Sequence, residues 1–443
     1  MKLSEPHIFK GYWWLPGRED DKVAGVLTYN PGENILLELI GCFTGNGFSI
    51  KELINGDLKK VPVIYGIDSD AKRISLFDCY LSFSANFNSG FPITKFTSGF
   101  VVIGMHINGM AEPSFYRADV RIPELTYWAL PKSIKTTFQY ASDSKSLQSC
   151  TLQLQSSWGK HDSICSIHIA NDVELSINAC ASYSSGELFL NPRVEQYSYL
   201  SLRCPSRKMS LSEIFRMIYN FQDFLSLATK RHVSYESIDL WTAEGVDERH
   251  GNVSISILAK RNIVANTVKI DRDSFLLKYE CMSDMIPTML RKWMSDNEDM
   301  RPIKRHLVDS LVYKPVVGSV DFLQVMQAIE GVWWRFKDTE YRKANGISSD
   351  KWTRLKTLLE ETIKSYSSIP AIAGASIDVR EAVDSRHYYS HFMEKSPKRK
   401  VLDGVQLYEL TVKLRNLLLC QVLELMGLNN TEISKVLSNQ TSD

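Results

Sequence analysis

Asp384-Ser385-Arg386-His387-Tyr388-Tyr389-Ser390-His391-Phe392 holds two of the chain's nine histidines and an arginine, in a stretch that reads as a helix. Four residues apart, His387 and His391 fall one above the other on the same helical face. Arg386 lies about 100° round from His387, and its long side chain can swing into the same space. Apolar residues around this stretch keep helical spacing. Phe322, Val325, Met326, Ile329 and Trp333 form one stripe, and Trp352, Leu355, Leu359 and Ile363 a second. Leu407, Leu410, Leu414, Leu417, Leu418 and Leu425 form a third. The helix carrying the histidines is predicted from about Ser376 to Met393. Asp403 and Gly427 are suited to start and stop the helix after it. Amphipathic helices joined by short connections predict an antiparallel bundle over residues 316–443.

Toward the N-terminus the period changes from helical to two. Val173-Glu174-Leu175-Ser176-Ile177 and Thr151-Leu152-Gln153-Leu154-Gln155 alternate as strands with one buried face. Turn signals such as Asn30-Pro31-Gly32 and Asn55-Gly56-Asp57 recur at short intervals, which suits an antiparallel sandwich or barrel. Residues 1–205 are therefore expected to form a β-rich domain. Ser210-Leu211-Ser212-Glu213 reads as a capping box opening a helix of about five turns. Val253-Ser254-Ile255-Ser256-Ile257 alternates again, so residues 206–315 are expected to be a mixed α/β connecting region. The fold class is thus α+β and multidomain, as 443 residues would require.

Fifty-two Lys and Arg against 51 Asp and Glu leave a net charge of +1, so any contact with nucleic acid must use a local patch. Lys395-Ser396-Pro397-Lys398-Arg399-Lys400 supplies one directly after the histidines, unless it is an ordinary solvated loop. Eight cysteines without a Cys-x2-Cys pair exclude a zinc knuckle and a disulfide-dense scaffold. The N-terminus predicts no signal peptide. The most apolar run, Leu414 to Leu428, is interrupted by Arg415, Gln421 and Glu424 and is too short to cross a bilayer. A cytoplasmic protein without membrane contact is expected. No Gly-rich phosphate loop, Gly-x-Ser-x-Gly elbow or acidic quartet is present, and no cofactor is expected.

Two imidazoles and a guanidinium suit metal-free cleavage of RNA. The 2′-hydroxyl must lose a proton, the leaving 5′-oxygen must gain one, and charge on the phosphoryl oxygens must be stabilised. Imidazole, with an unperturbed pKa of about 6.5, can do either transfer. Guanidinium grips phosphate through a planar fork. His391 is assigned to proton transfer, Arg386 to the phosphate, and His387 to orientation or the second proton. Other readings of the same residues stand beside this one. They could be a solvated helix face, or half of a metal site with Asp384 or Glu394, although no Glu follows the first histidine as in the zinc protease motif. Tyr388 and Tyr389 could stack on bases or pack against neighbouring helices.

Arg386-x4-His391, on the penultimate long helix and followed by a leucine-rich helix, resembles the motif of the HEPN superfamily. Gly11-Tyr12-Trp13-Trp14-Leu15-Pro16 with Gly25-Val26-Leu27-Thr28-Tyr29 resembles the N-terminal domain of the ApeA family of bacterial anti-phage proteins, and Gln327-Ala328-Ile329-Glu330 resembles that family's first HEPN helix. Taken bare, the aromatic residues of the first stretch would be read as sealing a core. The resemblance implies an abortive-infection ribonuclease, held inactive until a phage-derived trigger arrives, that cleaves RNA, tRNA among the candidates. It implies a homodimer whose two motifs face each other across one substrate. Arg386, His387 and His391 match the arginine, polar and histidine places. The polar place is more often Asn or Asp, which leaves the role of His387 open. Lys395, Lys398, Arg399, Lys400 and Tyr388 are the expected RNA contacts. The alternatives are a catalytically silent HEPN binding protein and a nucleotide-binding HEPN partner of a nucleotidyltransferase.

Overall fold

A computed structural model describes residues 1–43, 60–83, 93–131, 134–140, 146–154, 162–169, 172–184, 193–242, 255–260, 270–295, 300–312, 318–348, 353–392 and 398–438. Asn55-Gly56-Asp57, Val253, Ser254, Trp352, Glu394 and Lys395 lie outside them. The chain divides into two units, 1–218 with 234–269 and 219–233 with 270–443, so the stretch 206–315 contributes to both.

In the first unit the period-two segments form strands β1 (His7–Trp14), β2 (Val23–Tyr29), β3 (Ile35–Ile40), β4 (Val61–Asp68), β5 (Arg73–Phe83), β6 (Ile93–Ser98) and β7 (Phe100–Ile103). β1 pairs with β2 and β4, β2 with β3, β3 with β6, and β6 and β4 both with β5, all antiparallel. Six strands thereby close into a barrel, which leaves no open edge among them. From β5 the sheet continues through β7, Ile255–Ala259, Ser237–Trp241, Arg117–Arg121, Arg193–Arg203, Val173–Ser184 and Asp162–Ile169. Val173 to Ile177 alternate buried and half-buried, as one-sided burial requires. Leu152 does not follow that rule. The hairpin Ile134–Tyr140 with Leu147–Leu154 is a separate two-stranded sheet, and Leu152 and Phe138 are about half exposed.

Of the aromatic stretch in β1, Trp13 and Trp14 are buried and Tyr12 is exposed. Trp13 is fully buried, and its ring lies against Gly66 and Gly25, where a Cβ would come within 2.3 and 2.9 Å of it. Gly11 pairs with Asp68, and a Cβ there would stand 2.0 Å from the Ile67 carbonyl oxygen. Backbone cannot yield as a side chain does. Gly11→Ala is therefore expected to destabilise the barrel by about 3 kcal/mol, at the top of the overpacking range. Gly99→Ala, with nothing within 4 Å of its Cβ, is expected to stay within about 0.5 kcal/mol. Equal urea midpoints for the two variants would refute the close-approach argument.

The capping serine acts as expected. Ser210 Oγ accepts the Glu213 backbone N–H at 3.2 Å, while the Glu213 carboxylate is taken by Arg207 at 2.9 Å. The helix it opens runs Leu211–Thr229.

The second unit is helical. Its elements include Arg301–Val312, Ser319–Val332, Leu355–Ser365, Val379–His391 and Gly404–Leu425. Phe322, Val325, Met326, Ile329 and Trp333 are all buried, as the first stripe predicts. In Leu355–Ser365 the buried residues are Leu358, Leu359 and Thr362, a face rotated from the predicted one, and Leu355 and Ile363 are half-buried. The five leucines from Leu407 to Leu418 are buried; Leu425 is half-buried beside buried Met426. Among the described residues, no helix is long and apolar enough to cross a membrane.

Candidate active site

The helix that carries the arginine and histidines is shorter than its sequence suggests, Val379–His391 rather than 376–393. Asp378 takes the N-cap, its carboxylate accepting the N–H groups of Arg380 at 2.8 Å and Glu381 at 3.2 Å. Phe392 adopts the left-handed conformation at the other end (φ 49°) and is 89% exposed.

The chain after the helix folds back along it. Asp384 accepts the Lys400 backbone N–H at 2.9 Å, buried Ser385 accepts that of Leu402 at 3.0 Å, and the Tyr389 hydroxyl donates to the Leu402 carbonyl at 3.0 Å. Arg380 donates to the Lys398 carbonyl at 2.8 Å. The Lys400 ammonium bonds Asp378 at 2.9 Å and stands 3.7 Å from Glu381. The hydrogen bond between them raises the Lys400 pKa and lowers that of Asp378. Lys400 thus pairs with the start of the helix and, like Lys398 and Arg399, is exposed at the turn. Tyr389 packs edge-on against Phe322 at 6.4 Å, and half-buried Tyr388 meets Tyr389 at 4.9 Å.

Arg386 crosses to the helix Ser319–Val332. Its Nε and Nη2 donate to the two carboxylate oxygens of Glu330 at 3.1 and 3.3 Å, with side-chain exposures of 22% and 16%. A two-point pair fixes the plane of the guanidinium as well as its position. The His387 and His391 rings lie 6.2 Å apart and nearly parallel at 21°. His387 is half-buried and His391 exposed. Burial first, then the positive charges of Arg386, His391 and Arg399, hold His387 below the usual histidine range, against the opposing pull of Asp384. Arg386, His387 and His391 are therefore together on one short helix. Among the described residues no group of three or more His, Cys, Asp or Glu side chains is placed to hold a metal ion.

Sequence reasoning quoted Glu330 without giving it a task. The available signal was a carboxylate next to the buried Ala328 and Ile329, where an ionised group needs a cationic partner.

Residues 323–432, which hold the helix Val379–His391 and the long leucine-rich helix after it, match the family model described as Apea-like HEPN, so the helical unit contains a HEPN domain. Residues 8–293 match the model described as ApeA N-terminal domain 1. The chain belongs to the ApeA family, an anti-phage family with a C-terminal HEPN domain. No curated protein and no solved structure matches it.

Proposed function

We propose that this protein is a metal-independent HEPN endoribonuclease of abortive infection, restrained in the cytoplasm until a phage-derived trigger releases it to cleave RNA, tRNA among the candidate substrates. HEPN domains are generally ribonucleases and commonly bind RNA and dimerise. The observation that carries the reading is the guanidinium of Arg386, held in one plane by Glu330 beside two parallel imidazoles. That set can bind a phosphodiester and move two protons. On this reading residues 316–443 carry the nuclease, residues 1–205 the sensor, and residues 206–315 connect them. Lys398 and Arg399, with Lys395 and Tyr388, contact the RNA; Lys400 contributes by holding the turn against the helix. A homodimer brings two such motifs to one substrate.

A silent HEPN binding protein is the second reading, favoured by the same ion pair, since Glu330 already takes two donors of Arg386. One experiment separates them. Wild type and His391→Ala are expressed with and without phage, and RNA 5′ ends are sequenced. New ends are expected only in infected wild-type cells. Purified activity is expected to survive EDTA, since neither proton transfer needs a Lewis acid. Identical ends in both strains would leave the silent reading standing.

A further inference from the structure

The hairpin Ile134–Tyr140 with Leu147–Leu154 is a sheet of its own, and its two sides differ in chemistry. Residues that face each other across an antiparallel pair point to the same side. Lys135 opposes Gln153, Thr137 opposes Thr151 and Gln139 opposes Ser149, so one side is polar throughout; there Ser149 donates to Gln139 at 2.9 Å. On the other side Thr136 opposes Leu152, Phe138 opposes Cys150 and, past a bulge, Tyr140 opposes Leu147. Strands alternate in this way when one of their sides is covered. Yet Phe138, Tyr140, Leu147 and Leu152 are 52–57% exposed, and Cys150 is exposed with them. We propose that this apolar side is a self-association surface, on which the same ribbon of a second copy of the chain packs face to face. It belongs to the first unit and stands or falls independently of the nuclease reading.

A two-stranded ribbon is marginal in water unless one side of it is packed. This one is anchored at its foot, where the Ile134 N–H donates to Gln196 at 3.2 Å, which leaves the apolar side still to be covered. Thr136, Phe138, Tyr140, Leu147, Cys150 and Leu152 include no charged residue. Nothing on this side therefore selects a charged partner, whereas an identical strip meets it with no charge to desolvate. Two such sides can pack as aligned sheets do, about 10 Å apart. At about half of their full area, the four large side chains show on the order of 400 Å² per copy. With exposed Thr136 and Cys150 and half-buried Ile134 added, a twofold pair removes about 1,000 Å² from water, the size at which a specific interface begins. A twofold contact also counts every residue twice.

The test uses the full-length protein. Cys150 lies on the surface itself, and a bismaleimide spanning about 10 Å matches the separation of packed sheets. In a Cys281→Ser background, which removes another exposed thiol, the reagent is expected to give a covalent dimer that Cys150→Ser abolishes. Phe138→Glu places like charges on both copies. It is expected to weaken association in sedimentation by about 10–100-fold, and the crosslink with it, because a central aromatic residue is lost twice. Phe138 is exposed, so the variant is expected to keep the wild-type fold, read by circular dichroism. Mixing Phe138→Glu protein with Phe138→Lys protein is expected to restore the crosslink, since opposite charges then meet. A residue needed only for folding could not be rescued by a partner. Wild type that stays uncrosslinked at Cys150 at every workable concentration would overturn the proposal. So would association and crosslinking that Phe138→Glu leaves unchanged. Phosphatidylcholine–phosphatidylglycerol vesicles that carry wild type but not Phe138→Glu, with no Cys150 crosslink, would overturn it in favour of a lipid surface.

Discussion

Arg386→Ala is expected to lower RNA cleavage by about 10²–10³-fold, the loss seen when one preorganised donor to a developing oxyanion is removed. The guanidinium is the one permanently charged group in the set, so no shift of pH can replace it. Arg386→Lys should fare little better. An ammonium is a point charge, and if it stays on Glu330 it cannot also present a second donor in a fixed plane to phosphate. Glu330→Gln tests the same geometry from the other side. It keeps an acceptor for Nε but surrenders the charge, and it is expected to cost about tenfold in rate. Stability changes are smaller. Removing Arg386 strands a carboxylate that is 16% exposed, at about 1–3 kcal/mol, so the variant is expected to fold, and its melting curve separates a lost active site from a lost structure. Full activity in Arg386→Ala would mean that phosphate is bound elsewhere.

Helical period placed Arg386, His387 and His391 in the sequence, because a four-residue spacing fixes their shared face before any tertiary contact is known. It could not place their partners. Glu330 lies 56 residues from Arg386 in the chain, and nothing local couples them; only the packing of two helices does. The ends of the motif helix escape the periodicity for a related reason. Asp378 and Phe392 set them, through a side-chain cap and a left-handed residue, while apolar periodicity fades over the terminal turns. Lys400 belongs to the basic turn by composition, yet its ammonium is spent on Asp378 and stands near Glu381, because the chain doubles back on the helix. In the first unit, alternation identified the strands but not their closure. That depends on β5 pairing with both β4 and β6, and on glycines opposite Trp13 whose small size matters only once the strands are neighbours. Alternation in the strand Leu147–Leu154 is legible too, but exposure of Leu152 is not, since period two states which residues share a face and not whether anything covers it.

The largest loss of stability is expected at a site away from the histidines. Arg415, 9% exposed, donates from Nε to Ser310 Oγ at 2.7 Å and from Nη2 to Asp321 at 2.7 Å, and Ser310 donates to the same carboxylate at 2.6 Å. The three residues tie Arg301–Val312, Ser319–Val332 and Gly404–Leu425 together at one level of the bundle. Asp321→Ala would leave a buried guanidinium without its counter-charge, at about 3–5 kcal/mol, or roughly 10 °C in the melting of the helical unit. Replacing both charges, Asp321→Leu with Arg415→Met, should restore most of that stability, because well-packed apolar groups avoid the desolvation penalty altogether. Activity need not return with it. Asp321 and Glu330 share one helix, so the ion pair that fixes its position also fixes where Glu330 holds Arg386. A double variant that melts like wild type but cleaves RNA about tenfold more slowly would show that the pair aligns the site. A single Asp321→Ala variant within about 1 kcal/mol of wild type would show that the network carries little of the fold.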